Sequence, residues 1–117
     1  MSIVDLLLET ARADTALLIT NDQKGDLFAT PRIVDFILIA DTEQTADTVA
    51  SFIVDNRYCR IDPTEDEKFH IVAQLEMPIT QNVACAVSGL FACISKIFGV
   101  DYDGWSCTLR PETPKNQ

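Results

Sequence analysis

The sequence predicts an α+β fold, a ferredoxin-like βαββαβ sandwich with a four-stranded antiparallel sheet and an extra N-terminal helix. Three observations carry this. From Arg32 onward, segments of period-two and period-3.6 hydrophobicity alternate in the order βαββαβ. Both helical segments in that series open on capping residues and close on helix-stopping residues. The length, 117 residues, is one domain's worth and leaves no room for a second core. Two crossovers of this kind put both helices on one face of a sheet ordered 4-1-3-2.

Each element has its own reasons. Ser2 to about Thr20 reads as a helix, because Ile3, Leu6, Leu7, Ala13 and Leu17 fall near helical spacing behind early Asp5 and Glu9. Thr15 to Thr20 also fits an extended segment. Asn21-Asp22-Gln23-Lys24-Gly25-Asp26 is a loop by composition. Arg32 to Ala40 is a strand in which only Asp35 interrupts Ile33, Val34, Phe36, Ile37, Leu38 and Ile39, as in a central strand covered on both faces. Asp41 and Gln44 have capping-box spacing for a helix from Thr42 to about Asp55. That helix buries Ala46, Val49, Ala50 and Ile53, and Asn56 stops it. Tyr58 to Ile61 is a short strand, followed by the polar connection Asp62-Pro63-Thr64-Glu65-Asp66-Glu67. Lys68 to Met77 alternates, with Phe69, Ile71, Ala73, Leu75 and Met77 on one face and His70, Val72, Gln74 and Glu76 on the other.

Pro78 ends that strand. Thr80 caps a long helix to Phe98 whose large residues Val83, Val87, Leu90, Ile94 and Ile97 form one buried stripe, and Gly99 terminates it. The back of this helix carries Cys85, Ser88, Gly89, Ala92 and Lys96, small enough for another backbone to approach. The N-terminal helix, a second subunit and a partner protein are the competing occupants. Trp105 to Leu109 is the last strand, launched by a positive-φ turn at Gly104 and anchored by the Trp105 ring, whose N–H is available to a carbonyl. The organisation is thus an N-terminal helix and loop over residues 1–24, the domain over 25–110, and a short tail over 111–117.

Composition excludes several function classes. Acids outnumber bases 18 to 9, for a net charge of −9. Direct nucleic-acid binding through phosphates needs clustered Lys and Arg and is not expected; a basic protein partner is. The longest uncharged stretch, Met77 to Ser95, is too polar and short for a convincing membrane span, and no basic n-region suggests a secretory signal. Cys59, Cys85, Cys93 and Cys107 have no metal-site spacing, and as unpaired buried thiols they fit a reducing cytosol. Cys85 and Cys93 lie about 12 Å apart along one helix, beyond disulfide reach. No cofactor motif is present. His70 with Asp35 is the one arrangement offering general-base chemistry, and nothing completes it, so no enzyme is expected. A small-molecule site on the open sheet face, using Asp35, Ile37, Ile39, His70, Val72 and Gln74, is the alternative to protein binding.

The topology makes a sharper statement about charge. Three connections emerge at one end of such a sheet, and they carry Asp41, Glu43, Asp62, Glu65, Asp66, Glu67, Asp101 and Asp103. Arg32, Arg57 and Arg110 map to the opposite end, with Arg60 close by. The eight acids are the candidate partner-binding residues, forming a rim suited to a basic protein.

Certain residues also resemble a known family. Gly25-Asp26 in the loop, Asp35 in an apolar first strand, Pro78 with Thr80 before the long helix, and Val100-Asp101-Tyr102-Asp103-Gly104-Trp105 resemble the regulator of ribonuclease E activity B family. The likeness spans about Asp22 to Leu109. It implies a ferredoxin-like fold in the proteobacterial cytoplasm, and inhibition of the endoribonuclease by binding its protein surface rather than by catalysis. Members of the best-known type are acidic and contact a basic, RNA-binding part of the enzyme. They extend past the last strand into a long acidic tail, whereas this sequence reads Lys115-Asn116-Gln117 at its end. The resemblance therefore extends to a paralogue with another target.

Overall fold

The computed structural model describes residues 2–53 and 59–108. The elements run α1 (Ile3–Gln23), β1 (Arg32–Ala40), α2 (Glu43–Ile53), β2 (Cys59–Pro63), β3 (Phe69–Met77), α3 (Gln81–Phe98) and β4 (Asp101–Cys107). The sheet is four-stranded and antiparallel, in the order β2-β3-β1-β4. This is the arrangement expected from the sequence. The expected stop at Asn56 and the 111–117 tail lie outside the described residues, as do Arg57 and Arg110.

One face of the sheet makes the core. Val34, Phe36, Leu38 and Ala40 of β1 alternate inward with Ile71, Ala73 and Met77 of β3. Ala46, Val49 and Ala50 of α2 and Ala84, Phe91 and Ile94 of α3 close over them in one cluster. Phe36 stacks on Phe91 with ring centroids 4.7 Å apart, an offset contact of the kind aromatic quadrupoles favour.

Several local expectations are corrected. Asp41 does not cap α2; the Thr42 hydroxyl accepts from the Thr45 N–H at 3.1 Å, since Thr42 is the residue one step before the helix. Thr80 precedes α3 in an extended conformation but makes no side-chain cap bond, whereas Gly99 does close α3 at φ 68°. The first helix runs through Gln23, with no extended segment from Thr15 to Thr20, and Asn21 is buried on its inner side. The four cysteines are half-buried rather than buried.

The largest correction concerns α3. Its inward residues are Ala84, Ser88, Phe91, Ala92, Ile94 and Ser95, while Leu90 and Ile97 of the expected buried stripe are 57% and 69% exposed. The reason is α1, which packs along the small side of α3. A Cβ placed on Gly89 would lie 3.7 Å from Leu7 Cδ2. Burial of two helices against each other there, with Leu18 joining the core, outweighs burial of Leu90 and Ile97.

The last strand begins at Asp101, earlier than Trp105. Leu38 pairs with Tyr102 and Phe36 with Trp105, so Ile37 faces two residues, Asp103 and Gly104. This bulge takes Gly104 to φ 86°, a conformation that glycine adopts without Cβ strain. Strand alternation would otherwise send residues 102 and 105 to opposite faces. The extra residue turns both rings toward the helices.

A buried ion pair fixes the entry to the sheet. Arg32 is 2% exposed and its guanidinium meets both Asp26 carboxylate oxygens at 2.7 and 2.8 Å. It also donates to the carbonyls of Leu27, Thr30 and Thr108. Arg32 is therefore a tie between the α1–β1 loop and the end of β4, and it adds nothing to a positive surface at that end.

Candidate protein-binding site

The strand register gathers the eight acids. Ala40, the last residue of β1, pairs with Phe69, the first of β3; Phe69 also pairs with Pro63, the last of β2; and Ile39 pairs with Asp101, the first of β4. One end of the sheet therefore carries Asp41 and Glu43 at the entry to α2, Asp62 on β2, Glu65, Asp66 and Glu67 in the β2–β3 hairpin, and Asp101 and Asp103 on β4. All but the half-buried Asp62 are exposed.

Two of the eight have a cation beside them. Arg60 Nε donates to Asp62 Oδ2 at 3.0 Å, and Lys68 Nζ lies 3.8 Å from Asp41 Oδ1. Both pairs are solvated, so water and salt screen them heavily. The other six make no ion pair among the described residues. The N-terminus of α2 also points here, and its dipole favours Asp41 and Glu43.

The hairpin holds its acids in a defined loop. Thr64 N–H donates to the Lys68 carbonyl at 2.9 Å, and Lys68 N–H donates to Thr64 Oγ1 at 3.1 Å. Between them Glu67 has φ 62°, a left-handed conformation that costs a non-glycine residue about 1 kcal/mol.

The first helix adds a residue that sequence reasoning did not assign to the rim. It runs antiparallel to α3, so its N-terminal turns lie at the acidic end. Glu9 and Leu6 line a cleft there with Lys96, Gly99, Asp101 and Tyr102. A docking position for α1 has no topological rule behind it, which is why the βαββαβ pattern alone did not reveal this.

A second missed group lies beneath that cleft. Asp14, at the centre of α1, is buried. Its Oδ1 accepts from Ser88 Oγ at 3.0 Å and from Trp105 Nε1 at 2.9 Å. The Trp105 N–H thus goes to a carboxylate on α1, not to a carbonyl. Ser88 has one proton and gives it to Asp14, so the 2.7 Å contact between Ser88 and Tyr102 is donated by the tyrosine. Asp14 Oδ2 has no hydrogen-bond partner among the described residues. Burial pushes the Asp14 carboxyl above its ordinary range, against the lowering effect of the Ser88 and Trp105 bonds. Burial likewise raises the Tyr102 hydroxyl and the Cys59 and Cys85 thiols, with the Asp14 charge adding to the last. This group pins α1 to α3 and β4. The only sequence hint is one acid in line with Leu7, Thr10, Leu18 and Asn21 on the inner side of α1.

The other candidates lose ground. Asp35 pairs with Gln74 in register and accepts its side-chain N–H at 2.9 Å. His70 pairs with Ile39, four residues along β3 from Gln74, about 13 Å away at strand rise. Asp35 therefore does not orient His70. On the open sheet face Val72 is covered by its neighbours, and the hollow found there lies at the far corner, lined by Ile33, Gln74, Leu75 and Glu76. No group of three His, Cys, Asp or Glu residues that could hold a metal occurs among the described residues.

No curated protein sequence matches the chain. A family model described as Regulator of ribonuclease activity B matches residues 12–107, which takes in every strand, α2, α3 and the second half of α1. On that match the chain belongs to the regulator of ribonuclease activity B family.

Proposed function

We propose that this protein restrains a ribonuclease by docking its acidic end onto a basic, RNA-binding surface of that enzyme. The family description supplies the regulated activity. The observation that carries the contact is the strand register, which collects eight carboxylates at one end of the sheet. A surface built from Lys and Arg to bind phosphates accepts carboxylates by the same charge-assisted hydrogen bonds. The regulator and the RNA then compete for it. This role calls on no catalytic residue and no cofactor, and it belongs in the cytoplasm, where the ribonuclease meets its substrate.

The test replaces Glu65, Asp66 and Glu67 with Ser in one variant, and Asp101 and Asp103 with Asn in another. Exposed charges contribute little to stability, so both variants should fold. Affinity for an Arg-rich ribonuclease segment should fall, with the association rate falling most. Calorimetry and surface-based kinetics at two salt concentrations measure both. Variants that bind as tightly as wild type at every salt concentration would overturn the assignment of the contact to this rim.

A further inference from the structure

We propose that the outward face of α3 pairs with the same face of a second copy of this chain, in an antiparallel two-fold contact centred on Leu90. The argument begins with spacing. Val83, Ala86, Leu90, Cys93 and Ile97 recur at intervals of three and four residues, which is the 3.5-residue seam along which two helices pack knobs into holes. Most of this seam is not used inside the molecule, where only its first residue, Val83, packs partly against the core. Leu90 and Ile97 are mostly exposed and Ala86 is exposed, because α3 turns its Ala84–Ser88–Phe91–Ser95 side inward. Phe52 of α2, 58% exposed, extends the apolar surface where it meets Phe98 edge-on at 5.1 Å.

Two properties select a second copy as the occupant. The first is charge. The chain carries a net −9, so most of its surface repels another copy. Between Gln81 and Phe98 there is no Asp or Glu, and Lys96 is the one charged residue. Like copies can approach along this face with least repulsion. The second is area. Helix α3 has 18 residues, or about 27 Å at helical rise. With α1 and α2 beside it at the usual helix spacing, the layer is about 30 Å wide. The three-helix layer as a whole thus offers about 800 Å², with Leu8 and Ile19 of α1 and Phe52 of α2 exposed beside the acid-free α3, and that area matches what each partner buries in a specific complex. Antiparallel pairing closes the contact after two copies, since Leu90 meets Leu90 and Val83 meets Ile97 in both directions.

The test is the solution mass as a function of concentration, measured by sedimentation and light scattering. Wild type should approach twice the 13.0 kDa chain mass. Leu90→Glu should remain a single chain, because the substitution removes two buried leucines per dimer and sets two carboxylates together. The dissociation constant should rise at least about 100-fold. Leu90 is exposed in the single chain, so circular dichroism and the thermal midpoint should show Leu90→Glu folded. Leu90→Lys alone should also stay monomeric, and an equimolar mixture of Leu90→Glu and Leu90→Lys should recover a dimer, which only a Leu90–Leu90 contact produces. Added salt should strengthen the wild-type dimer by screening its net charge. Three results would overturn the inference: wild type monomeric at the highest attainable concentration, a dimer that survives Leu90→Glu, or a mixture that does not re-pair. A wild-type monomer whose seam becomes covered only in a complex with another protein would assign the face to that protein instead.

Discussion

Replacing Asp14 tests whether a buried carboxylate holds α1 to the rest of the fold. Asp14→Ala deletes the acceptor for Trp105 Nε1 and Ser88 Oγ. Ser88 keeps only its 2.7 Å contact with Tyr102, which the tyrosine already donates, so turning the Ser88 proton there would pass the loss to the Tyr102 hydroxyl. Trp105 Nε1, in a residue 7% exposed, has no other acceptor among its described contacts. Two donors left without acceptors, the buried Trp105 N–H and one hydroxyl of the Ser88–Tyr102 pair, come to about 2–4 kcal/mol at neutral pH. Asp14→Asn isolates the charge, since its side-chain oxygen can still accept both bonds. The sign follows from the raised carboxyl. The folded state binds the Asp14 proton more tightly than the unfolded state, so the group's contribution is complete below the unfolded value near 4 and is lost as pH rises through the folded value. Wild type should therefore gain stability relative to Asp14→Asn as pH falls from neutrality toward 4, by about 1.4 kcal/mol for each unit of elevation. Urea titrations of the three proteins at several pH values measure both quantities. An Asp14→Ala loss under about 0.5 kcal/mol, or parallel pH profiles for wild type and Asp14→Asn, would refute the pinning role.

Four further outcomes are expected. Trp105→Ala should cost about 3–5 kcal/mol in denaturant titration, because it opens a cavity beside Phe36 and frees Asp14 of a donor. Arg32→Met should destabilise by about 3–5 kcal/mol at neutral pH, since Asp26 stays buried without its guanidinium; adding Asp26→Asn should restore part of that loss. Glu67→Gly should stabilise by about 0.5–1 kcal/mol by relieving φ 62°, and should at the same time weaken the proposed rim contact by one charge. Gly89→Ala should be neutral or stabilising by up to about 1 kcal/mol in the thermal midpoint, because a Cβ there meets Leu7 at an ordinary 3.7 Å and helical alanine outperforms glycine.

What the sequence shows well is what depends on short-range pattern. Strand β1 runs from Arg32 to Ala40 both in the periodicity and in the structure, and β3 differs by one residue. One reads as a near-continuous apolar run and the other as a clean alternation, and both are strand patterns. The acidic end follows as well, since it needs only the strand order and the composition of three connections. The misses share a different cause. The onset of β4 is hidden because Asp101-Tyr102-Asp103-Gly104 looks like a loop, while a bulge lets it pair with β1. The buried side of α3 cannot be chosen by residue volume once α1 offers a partner for its small side. The Asp14 group depends on the same docking, made between residues 74 and 91 positions apart.

The two surfaces proposed here predict opposite responses to salt, and this follows from where the chain puts its charge. Carboxylates are concentrated at the sheet end, where the β1–α2 entry, the hairpin and the β4 entry meet, and they are absent from α3. Docking of the rim on a cationic partner is an attraction between exposed charges, so raising ionic strength from low to physiological levels should weaken it as the screening length shrinks to about 8 Å. Pairing along the Leu90 seam is apolar association working against the repulsion of two −9 chains, so the same salt should strengthen it. Sedimentation of the protein alone and titration with an Arg-rich segment, both across one salt series, separate the effects in a single preparation. Glu65, Asp66 and Glu67 substitutions should flatten the salt dependence of partner binding and leave self-association at least as strong, since they remove like charge from both copies. Leu90→Glu should do the reverse, leaving partner binding and its salt slope intact while abolishing self-association. If both associations weaken together with salt, or if Leu90→Glu lowers affinity for the basic segment, the two surfaces are not independent and the seam belongs to the partner contact.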